Sequence, residues 1–509
     1  MKNYLLIAIV AIAMLFSACS DDTNAELQPS GNPQEPLTKS EIDQFVYSQL
    51  EKTGEFWWSA ADDQLLWSAA VRSDSMVSIG YQPADEKDLN SRIHLIDIQE
   101  EKWATVRQNL IDFIVTETNR AFPGKNYTAQ DLMPFGEEAV LPFFDIKIFD
   151  KNILAKLRQM PEVRYADAIG YITEDMEVVY RSDSGCDAEP DNVASSEYTT
   201  VSPNAKVPWN FYSMNIPSAW SRSQGAGVSI ALIDTGTSKD QPKLNSQFSS
   251  GESTGRSITR LGTYVSGWFT STPDGPDDRC GHGTQMAGLL AAPRTSSGST
   301  VGVAYKSNLV AIRAVADVVI LGSSETNGVS NAVRIAADRS DVKVLSMSIG
   351  SIFSSGQISD AIRYAYNKGK LIFAAAGTST SFTTWVGIVF PATMAETVAV
   401  TGVKEGTPIV KCDVCHVGSK VEFVAVMQRR TNSNTSLTLA MYSDTPTTIG
   451  GSSAATATTA GIAALVWATN LSQTRSQVLD KMRRAASLYP SRSSDFGYGI
   501  VNANTAANL

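Results

Sequence analysis

Histidine is the scarcest of the common catalytic residues in this sequence. The 509 residues contain only His94, His282 and His416. Histidine is the side chain most often used as a general acid or base. If the chemistry of this protein needs a histidine base, there are therefore only three candidates.

Positive charge is also in short supply, with 42 lysines and arginines against 52 aspartates and glutamates. The net charge of −10 gives no electrostatic reason to expect a nucleic-acid partner. The composition, 43% hydrophobic and 18% charged, is typical of a globular protein, and the length suits two or three domains.

Long apolar runs are almost absent. Residues 5–16 form one, preceded by Lys2, and this length predicts an export signal rather than a membrane-spanning helix. No other run reaches spanning length, so we expect the rest of the chain to be soluble.

The end of this run resembles the cleavage site of bacterial lipoproteins, in which a lipid is attached to a cysteine. Residues 17–19 read Ser-Ala-Cys, although Phe16 departs from the usual aliphatic residue, and the Ser-Asp-Asp that follows resembles the surface-export signal of Bacteroidetes lipoproteins. The resemblance implies a signal peptide over residues 1–18, a lipid on Cys19 and an outer-membrane lipoprotein exposed at the cell surface. The alternative is an ordinary secretory signal with a chance cysteine.

Four further cysteines occur in the chain: Cys186, Cys280, Cys412 and Cys415. An even number in an exported protein indicates disulfides. Cys412 and Cys415 are close enough to pair with each other, which would leave Cys186 with Cys280, but the sequence does not determine the connectivity.

The N-terminal half divides by pattern into a polar segment and a small α/β unit. Residues 19–80 contain a proline-containing tether and a stretch without a clear assignment, and residues 81–180 alternate between strand and helix periodicity. This order suits a ferredoxin-like α+β domain. Its predicted strands are residues 93–98, residues 141–149 and a strand from residue 163, with helices over residues 103–114 and after Asp150.

The C-terminal half, residues 207–509, alternates buried strands with helices. This pattern predicts a doubly wound, mainly parallel α/β sheet, in which catalytic groups gather at the carboxyl ends of the strands. The intervening residues 181–206 are rich in Ser, Asp, Pro and Thr and are expected to be a linker and processing region. The predicted strands are residues 228–233, 309–314, 342–347, 371–376 and 397–401, and the helices residues 330–338 and 358–368.

Three residues lie at positions where such a fold could place catalytic side chains. Asp234 ends a buried strand, His282 opens a helix between two glycines, and Ser453 lies at the start of a long apolar helix after two glycines. Each has a structural alternative: a turn residue for Asp234, a structural histidine for His282 and an N-cap for Ser453 or Ser452. Their order along the chain is one of the known orders of a Ser-His-Asp triad.

The motifs around these residues resemble those of the subtilisin-like serine proteases, from about residue 207 to the end of the chain. Asp-Thr-Gly at Asp234, Gly-His-Gly-Thr at His282 and Gly-Ser-Ser-Ala-Ala-Thr-Ala at Ser453 correspond to the family's aspartate, histidine and serine motifs. The resemblance implies that Ser453 attacks the peptide carbonyl, that His282 transfers its proton and that Asp234 orients His282. It also implies substrate-binding backbone at Ser348, Ile349, Gly350, Ala375, Ala376 and Gly377.

Two positions depart from the family pattern. Ala457 replaces the proline that ends the serine motif, and Thr378 replaces the asparagine that donates to the oxyanion. We expect the hydroxyl of Thr378, or a water that it holds, to replace part of that function. The loss of one such donor typically raises the barrier by about 2.7–4 kcal/mol.

Residues 154–165 resemble the end of the propeptide that chaperones and inhibits these proteases. The resemblance implies that the domain over residues 81–180 is an intramolecular inhibitor and that the chain is a zymogen that cleaves itself in the linker. Such a cut would separate the peptidase from its lipid anchor. The alternative is an unrelated ferredoxin-like domain.

Two further patterns could indicate cofactors. Cys412-Asp-Val-Cys-His416 matches a c-type haem attachment box, for which the preferred alternative is a local disulfide. Asp274, Asp277 and Asp278 could ligate calcium, although a solvated acidic loop is the preferred interpretation. We therefore expect no cofactor.

Together these patterns predict an exported, lipid-anchored serine endopeptidase acting on peptide or protein substrates. Two alternatives remain: a protease of narrow specificity or limited to self-processing because of Thr378, and a peptide-binding pseudoprotease.

Overall fold

The computed structural model describes residues 35–181, 186, 188–266, 272–320, 322–379 and 387–509. The predicted signal peptide, Cys19 and most of the tether lie outside the described residues. Residues 36–509 form one compact unit. Among the described residues, every helix is too short or too polar to cross a membrane.

The C-terminal portion (residues 188–509) is built on a seven-stranded sheet. All of its neighbouring strands run parallel, which confirms the predicted α/β class. Ser229–Asp234 lies near the middle, between Val342–Met347 and Asn308–Arg313. The spatial order is Val421–Gln428, Thr397–Lys404, Leu371–Ala375, Val342–Met347, Ser229–Asp234, Asn308–Arg313 and Ile258–Gly262.

Helices cover both faces of this sheet, and each face has its own apolar core. One face packs against two helices that also meet the N-terminal portion, Ser323–Asp338 and Gly356–Asn367. The other face packs against the histidine helix (His282–Ala291) and the serine helix (Gly451–Ala468). The remaining helices are Trp209–Ser213, Ile216–Ala219, Arg475–Arg484 and Ala503–Asn508.

The N-terminal portion (residues 36–181) contains a three-stranded antiparallel sheet in the order Phe143–Lys147, Met76–Tyr81, Val163–Ala168. The helix predicted over residues 103–114 is confirmed and is longer than predicted, Glu101–Ala121, and the helix predicted after Asp150 is confirmed as Lys151–Leu157. The portion's α-helices are Lys39–Thr53, Asp63–Val71, Leu89–Arg92, Glu101–Ala121, Ala129–Leu132, Lys151–Leu157 and Glu174–Arg181.

Two predictions for this portion are wrong. Residues 93–98 do not form a strand: Ile93–Leu95 is a 3₁₀ turn in which Ile93 is buried and Leu95 is 69% exposed. The first strand is Met76–Tyr81, so the predicted boundary at residue 80 cuts through it. All six residues of that strand are buried, and a strand buried on both faces lacks the alternation that identifies a half-exposed one.

The predicted linker, residues 181–206, is also partly wrong. Tyr198–Val201 pairs with Ala205–Pro208 as a hairpin that belongs to the C-terminal portion. The N–H of Lys206 donates to the carbonyl of Ser299 at 2.9 Å, which ties the hairpin to the rest of that portion. The ordered chain of the C-terminal portion therefore begins before residue 207.

Candidate active site

Asp234 ends the strand Ser229–Asp234, at the carboxyl edge of the sheet. Its side chain is fully buried, and its Oδ1 accepts hydrogen bonds from the Nδ1–H of His282 at 2.7 Å and from the N–H of Thr235 at 2.8 Å. A buried carboxylate in this position selects the tautomer of His282 that leaves Nε2 free of a proton.

His282 is the first residue of the histidine helix. The preceding Gly281 has a φ of 99°, which favours glycine, and a Cβ on Gly283 would lie 2.2 Å from the carbonyl oxygen of Gly236. The two glycines of the motif therefore let the turn after Asp234 approach the histidine closely.

The electrostatic environment favours the charged form of His282. Burial lowers its pKa, but the charge of Asp234, its hydrogen bond and the charges of Asp278 and Asp317 outweigh burial and raise the pKa above 6.5. A base with a raised pKa is a stronger proton acceptor, and the imidazolium formed on accepting a proton is stabilised.

Asp278 belongs to this site, although its sequence context indicates only a possible calcium ligand or a solvated loop residue. Its Oδ1 accepts hydrogen bonds from the N–H groups of Cys280 and Gly281 at 3.0 and 2.7 Å. Its Oδ2 accepts from the N–H and hydroxyl of Thr284 at 2.9 and 2.6 Å. Asp278 therefore shapes the turn that presents His282, and its position just before a helix was the available signal.

Ser453 lies in the first turn of the serine helix, which packs against the histidine helix. Gly450 is the N-cap of this helix, and no side chain caps it, so neither Ser452 nor Ser453 acts as the cap. The half-buried Ser453 donates its hydroxyl to the carbonyl of Ser348 at 3.4 Å, and Ser348 donates to the carbonyl of Ser453 at 3.0 Å. Unpaired N–H groups and the positive end of the helix dipole lie at this end of the helix.

Thr378 meets the serine helix through Ser452. Their hydroxyl oxygens are 2.9 Å apart, and the N–H of Ser452 donates to Thr378 Oγ1 at 3.3 Å. Thr378 follows Gly377, whose φ is 124°. The Thr378 hydroxyl thus lies beside Ser452, the residue that precedes the candidate nucleophile Ser453.

Two of the six residues predicted to bind substrate, Gly350 and Ala376, pair with other segments of the chain. The N–H of Gly350 donates to the carbonyl of Val318 at 3.3 Å, and the carbonyl of Gly350 accepts from the N–H of Ile320 at 2.8 Å. The carbonyl of Ala376 accepts from Val389 at 3.0 Å. An extended peptide can therefore pair with Gly350 only after residues 318–320 move away.

Four of the five cysteines form two disulfides, Cys186–Cys280 and Cys412–Cys415. The first joins Cys186, near the start of the predicted linker, to the residue two positions before His282. The second uses both sulfurs of the haem-like motif, and the two ring nitrogens of His416 contact Gly387 and Ser379. These contacts favour the interpretation of this motif as a local disulfide.

The three aspartates considered for calcium have protein partners. Asp274 forms ion pairs with Arg313 at 3.5 Å and Arg279 at 3.9 Å, and Asp277 accepts the N–H of Lys239 at 2.8 Å. Both side-chain oxygens of Asp278 accept hydrogen bonds from residues at the start of the histidine helix.

Among the described residues, one group of three has ligand atoms close enough for a metal: Cys186, Cys280 and Asp317. Its two sulfurs are joined as a disulfide, which removes the thiolate form that binds metals. In its disulfide-bonded form this group is therefore not suited to bind a metal.

Comparison with known proteins agrees with this geometry. The family description "Subtilase family" matches residues 225–499, more than half of the chain. Thermitase from Thermoactinomyces vulgaris is 33% identical over 162 residues, which is 32% of this chain and 51% of thermitase. A subtilisin from Bacillus sp. (strain TA39) is 30% identical over 284 residues, which is 53% of this chain and 64% of that protein.

An alkaline protease from Alkalihalobacillus alcalophilus is 29% identical over 314 residues, which is 61% of this chain and 72% of the protease. The chain thus spans 51% of thermitase and 64% of the Bacillus subtilisin. The family match over residues 225–499 covers the strand that carries Asp234, the histidine helix and the serine helix. The chain belongs to the subtilase family.

Proposed function

We propose that the protein is a serine endopeptidase that hydrolyses peptide bonds through Asp234, His282 and Ser453. The observation that carries the proposal is the 2.7 Å hydrogen bond from His282 to the buried Asp234, with Ser453 in the first turn of a helix packed against the histidine helix. Family membership supports the same activity.

In the proposed reaction, the Ser453 hydroxyl turns from the carbonyl of Ser348 and attacks the peptide carbonyl, while His282 Nε2 takes its proton. His282 then gives the proton to the leaving amine, which forms an acyl-enzyme and the first product. Water, deprotonated by His282, attacks the ester and releases the acid product. Asp234 stabilises the charged imidazole throughout.

Two groups are proposed to stabilise the oxyanion: the N–H of Ser453 at the helix start and the hydroxyl of Thr378. The first acts together with the helix dipole. The second is supported by its position against Ser452, although a threonine hydroxyl is a shorter donor than the family's asparagine amide.

The N-terminal portion is proposed to be the propeptide of a self-processing zymogen. Its sheet contacts the helix Gly356–Asn367 through a paired charge: Arg164 donates to both oxygens of the buried Asp360, at 2.7 and 2.8 Å. Aromatic rings add apolar contact, with Trp58 stacked on Phe353 at a centroid distance of 5.6 Å. These contacts support an inhibitor that also stabilises the fold.

Export as a lipid-anchored outer-membrane protein is proposed from residues 1–22 alone. Metabolic labelling with a radioactive fatty acid tests it. We expect labelling of the wild type and none of Cys19→Ala. Equal labelling of the two would contradict the proposed anchor.

A fluorophosphonate probe tests the enzymatic activity. We expect the probe to label the matured wild type, and Ser453→Ala to remain unlabelled, whereas Ser452→Ala, which keeps the nucleophile, still reacts. Absence of labelling in the wild type would favour the pseudoprotease.

A narrow or self-processing protease is the second candidate. The pairing of Gly350 with Val318 and Ile320 favours it, because a substrate must displace this contact. Digestion of casein separates the two: broad degradation supports the general endopeptidase, and labelling without casein cleavage supports the narrow one.

A further inference from the structure

The unassigned motif around His416 packs against the segment that carries Thr378. We call residues 412–416 the cysteine clamp. The N–H of Ser379 donates to the carbonyl of Val414 at 2.6 Å, and the N–H of His416 donates to the carbonyl of Gly377 at 3.1 Å. These two bonds lie on either side of Thr378, so the clamp holds the backbone before and after that residue.

The imidazole of His416 adds two side-chain contacts. It is 4% exposed, and burial lowers its pKa, so the ring is neutral near pH 7. A carbonyl can only accept, so Nδ1–H donates to the carbonyl of Gly387 at 2.7 Å. Nε2 then accepts the hydroxyl of Ser379 at 3.1 Å. The ring thus links Ser379, the residue after Thr378, with Gly387.

The packing leaves little freedom between the clamp and its neighbours. A Cβ on Gly377 would lie 2.4 Å from His416 Nδ1, and a Cβ on Gly402 would lie 2.7 Å from the sulfur of Cys415. Such distances require glycine at both positions. The clamp is therefore in direct contact with the backbone that precedes Thr378.

The disulfide of the clamp joins cysteines only three positions apart. In the chain-entropy account, a bridge stabilises a protein less as the closed loop shortens. A contribution to local shape explains this bridge better than a contribution to global stability.

We propose that the cysteine clamp is a positioning element for the reaction, with His416 as its central residue. By fixing the backbone on both sides of Thr378, it keeps the Thr378 hydroxyl against Ser452, beside the nucleophile. This inference rests on the proposed serine endopeptidase activity. The hydrogen bonds of the His416 ring go to Gly387 and Ser379 and not to Ser453, so its proposed effect is exerted through Thr378.

The test uses protein that is expressed as the full-length chain and allowed to mature, and it is assayed with a peptide substrate. Three variants weaken the clamp: His416→Ala, His416→Asn, which keeps a donor for Gly387, and Cys412→Ser combined with Cys415→Ser. Val410→Ala is the control, because it removes an exposed side chain two residues before the clamp and outside it.

We expect His416→Ala to lower kcat about tenfold with little change in KM, which is less than the roughly 10²–10³ typical for loss of a complete oxyanion donor. His416→Asn should recover part of this loss, and Val410→Ala should match the wild type. A peptide aldehyde, which forms an oxyanion on Ser453, should bind His416→Ala more weakly. The corresponding peptide amide should bind as it does to the wild type.

Two outcomes would overturn this inference and leave the proposed function intact. One is an equal loss of affinity for the aldehyde and the amide, and the other is an unchanged kcat in all clamp variants of an active enzyme. A wild type that neither turns over peptide nor reacts with a fluorophosphonate would instead refute the proposed function. If His416→Ala fails to fold, the ratio of aldehyde to amide affinity in His416→Asn decides the question.

Discussion

At the scale of single residues, the geometry of His282 depends on two carboxylates with different contacts. Asp234 bonds to the imidazole itself, whereas Asp278 binds the N–H groups at the start of the histidine helix. Both charges help to raise the pKa of His282. The pH dependence of catalysis should therefore respond to Asp278, which does not touch the ring.

Replacement of Asp278 by asparagine should shift the acidic limb of kcat/KM to lower pH. The base acts only when neutral, so activity falls as pH drops through the pKa of His282. Removing the charge of Asp278 lowers that pKa, and His282 then stays neutral at lower pH. The measurement is a pH profile from 4 to 9, and Asp277→Asn, one residue away, serves as the control. A shift toward higher pH would contradict the expected direction.

Thr378 provides a second prediction at this scale. Thr378→Ala removes the hydroxyl beside Ser452 and should lower kcat by less than the roughly 10²–10³ seen when a complete oxyanion donor is lost. Thr378→Ser keeps the hydroxyl and should retain most activity. Steady-state kinetics on a peptide substrate measures both. Unchanged turnover in Thr378→Ala would exclude a role for this side chain.

At the scale of elements, the helix Gly356–Asn367 meets two buried carboxyl groups of the N-terminal sheet. Asp167 accepts the N–H of Gly356 at 2.7 Å, and Asp145 accepts the side-chain amide of Gln357 at 3.1 Å. Burial raises the pKa of Asp167 to about 7 and that of Asp145 to about 6, although these hydrogen bonds partly oppose the shift. The two groups are thus partly protonated near neutral pH.

Attachment of the N-terminal portion should weaken as pH rises. A carboxyl whose pKa is raised in the contact favours the contact most at low pH, and this preference is lost as pH rises through about 6 to 7. Asp167→Asn keeps the shape without titrating and should flatten this dependence. Thermal unfolding of Ser453→Ala with and without Asp167→Asn, between pH 4 and pH 8, measures the effect. Equal pH dependence of the two proteins would contradict it.

The Arg164–Asp360 pair should dominate the same contact. Asp360 is fully buried, and Arg164→Ala would leave it only the hydroxyl of Tyr165 at 3.1 Å and the guanidinium of Arg363 at 3.7 Å. Removing one partner of a buried ion pair typically costs about 3–5 kcal/mol, and these two contacts place the expected loss at the lower end of that range. Denaturant unfolding in the Ser453→Ala background measures the loss. Lys102→Ala breaks the exposed pair with Asp85 and should leave stability unchanged. Similar effects of the two substitutions would show that burial does not strengthen this pair.

At the scale of the whole molecule, the chain between the two portions runs beside the candidate catalytic residues. Ala188 is buried, and a Cβ on Gly281 would lie 2.6 Å from its side chain. The N–H of Met441 donates to the carbonyl of Ala188 at 2.8 Å, and Cys186 is bonded to Cys280. Two residues of the proposed processing region, Cys186 and Ala188, are thus held close to the start of the histidine helix.

Self-processing should therefore divide the wild-type chain and leave Ser453→Ala intact. A cut after Cys186 would keep both fragments joined through Cys280 until a reductant is added, whereas a cut before it would not. Non-reducing and reducing gels, with mass spectrometry of the new N-terminus, distinguish these cases. A full-length chain in both proteins would contradict self-processing.

Much of the C-terminal fold could be predicted because its signals are local. The strand Val342–Met347 agrees with its predicted bounds, and the helix predicted over residues 358–368 is found as Gly356–Asn367. The helices that carry His282 and Ser453 follow from glycines and a run of small apolar residues. Buried strands without alternation, as in Met76–Tyr81, were not recognised, because their pattern is not specific to strands.

The sequence by itself determined the fold class, the order of the three candidate catalytic residues and the helix that begins at Gly451. Each depends on hydrophobic periodicity or on a short motif. Only the tertiary structure decided that Thr378 bonds to Ser452, 74 positions away, and that residues 318–320 close the edge at Gly350. It also placed the cysteine clamp against Gly377. Contacts between distant segments depend on how sheet and helices pack, and no local pattern encodes the resulting distances.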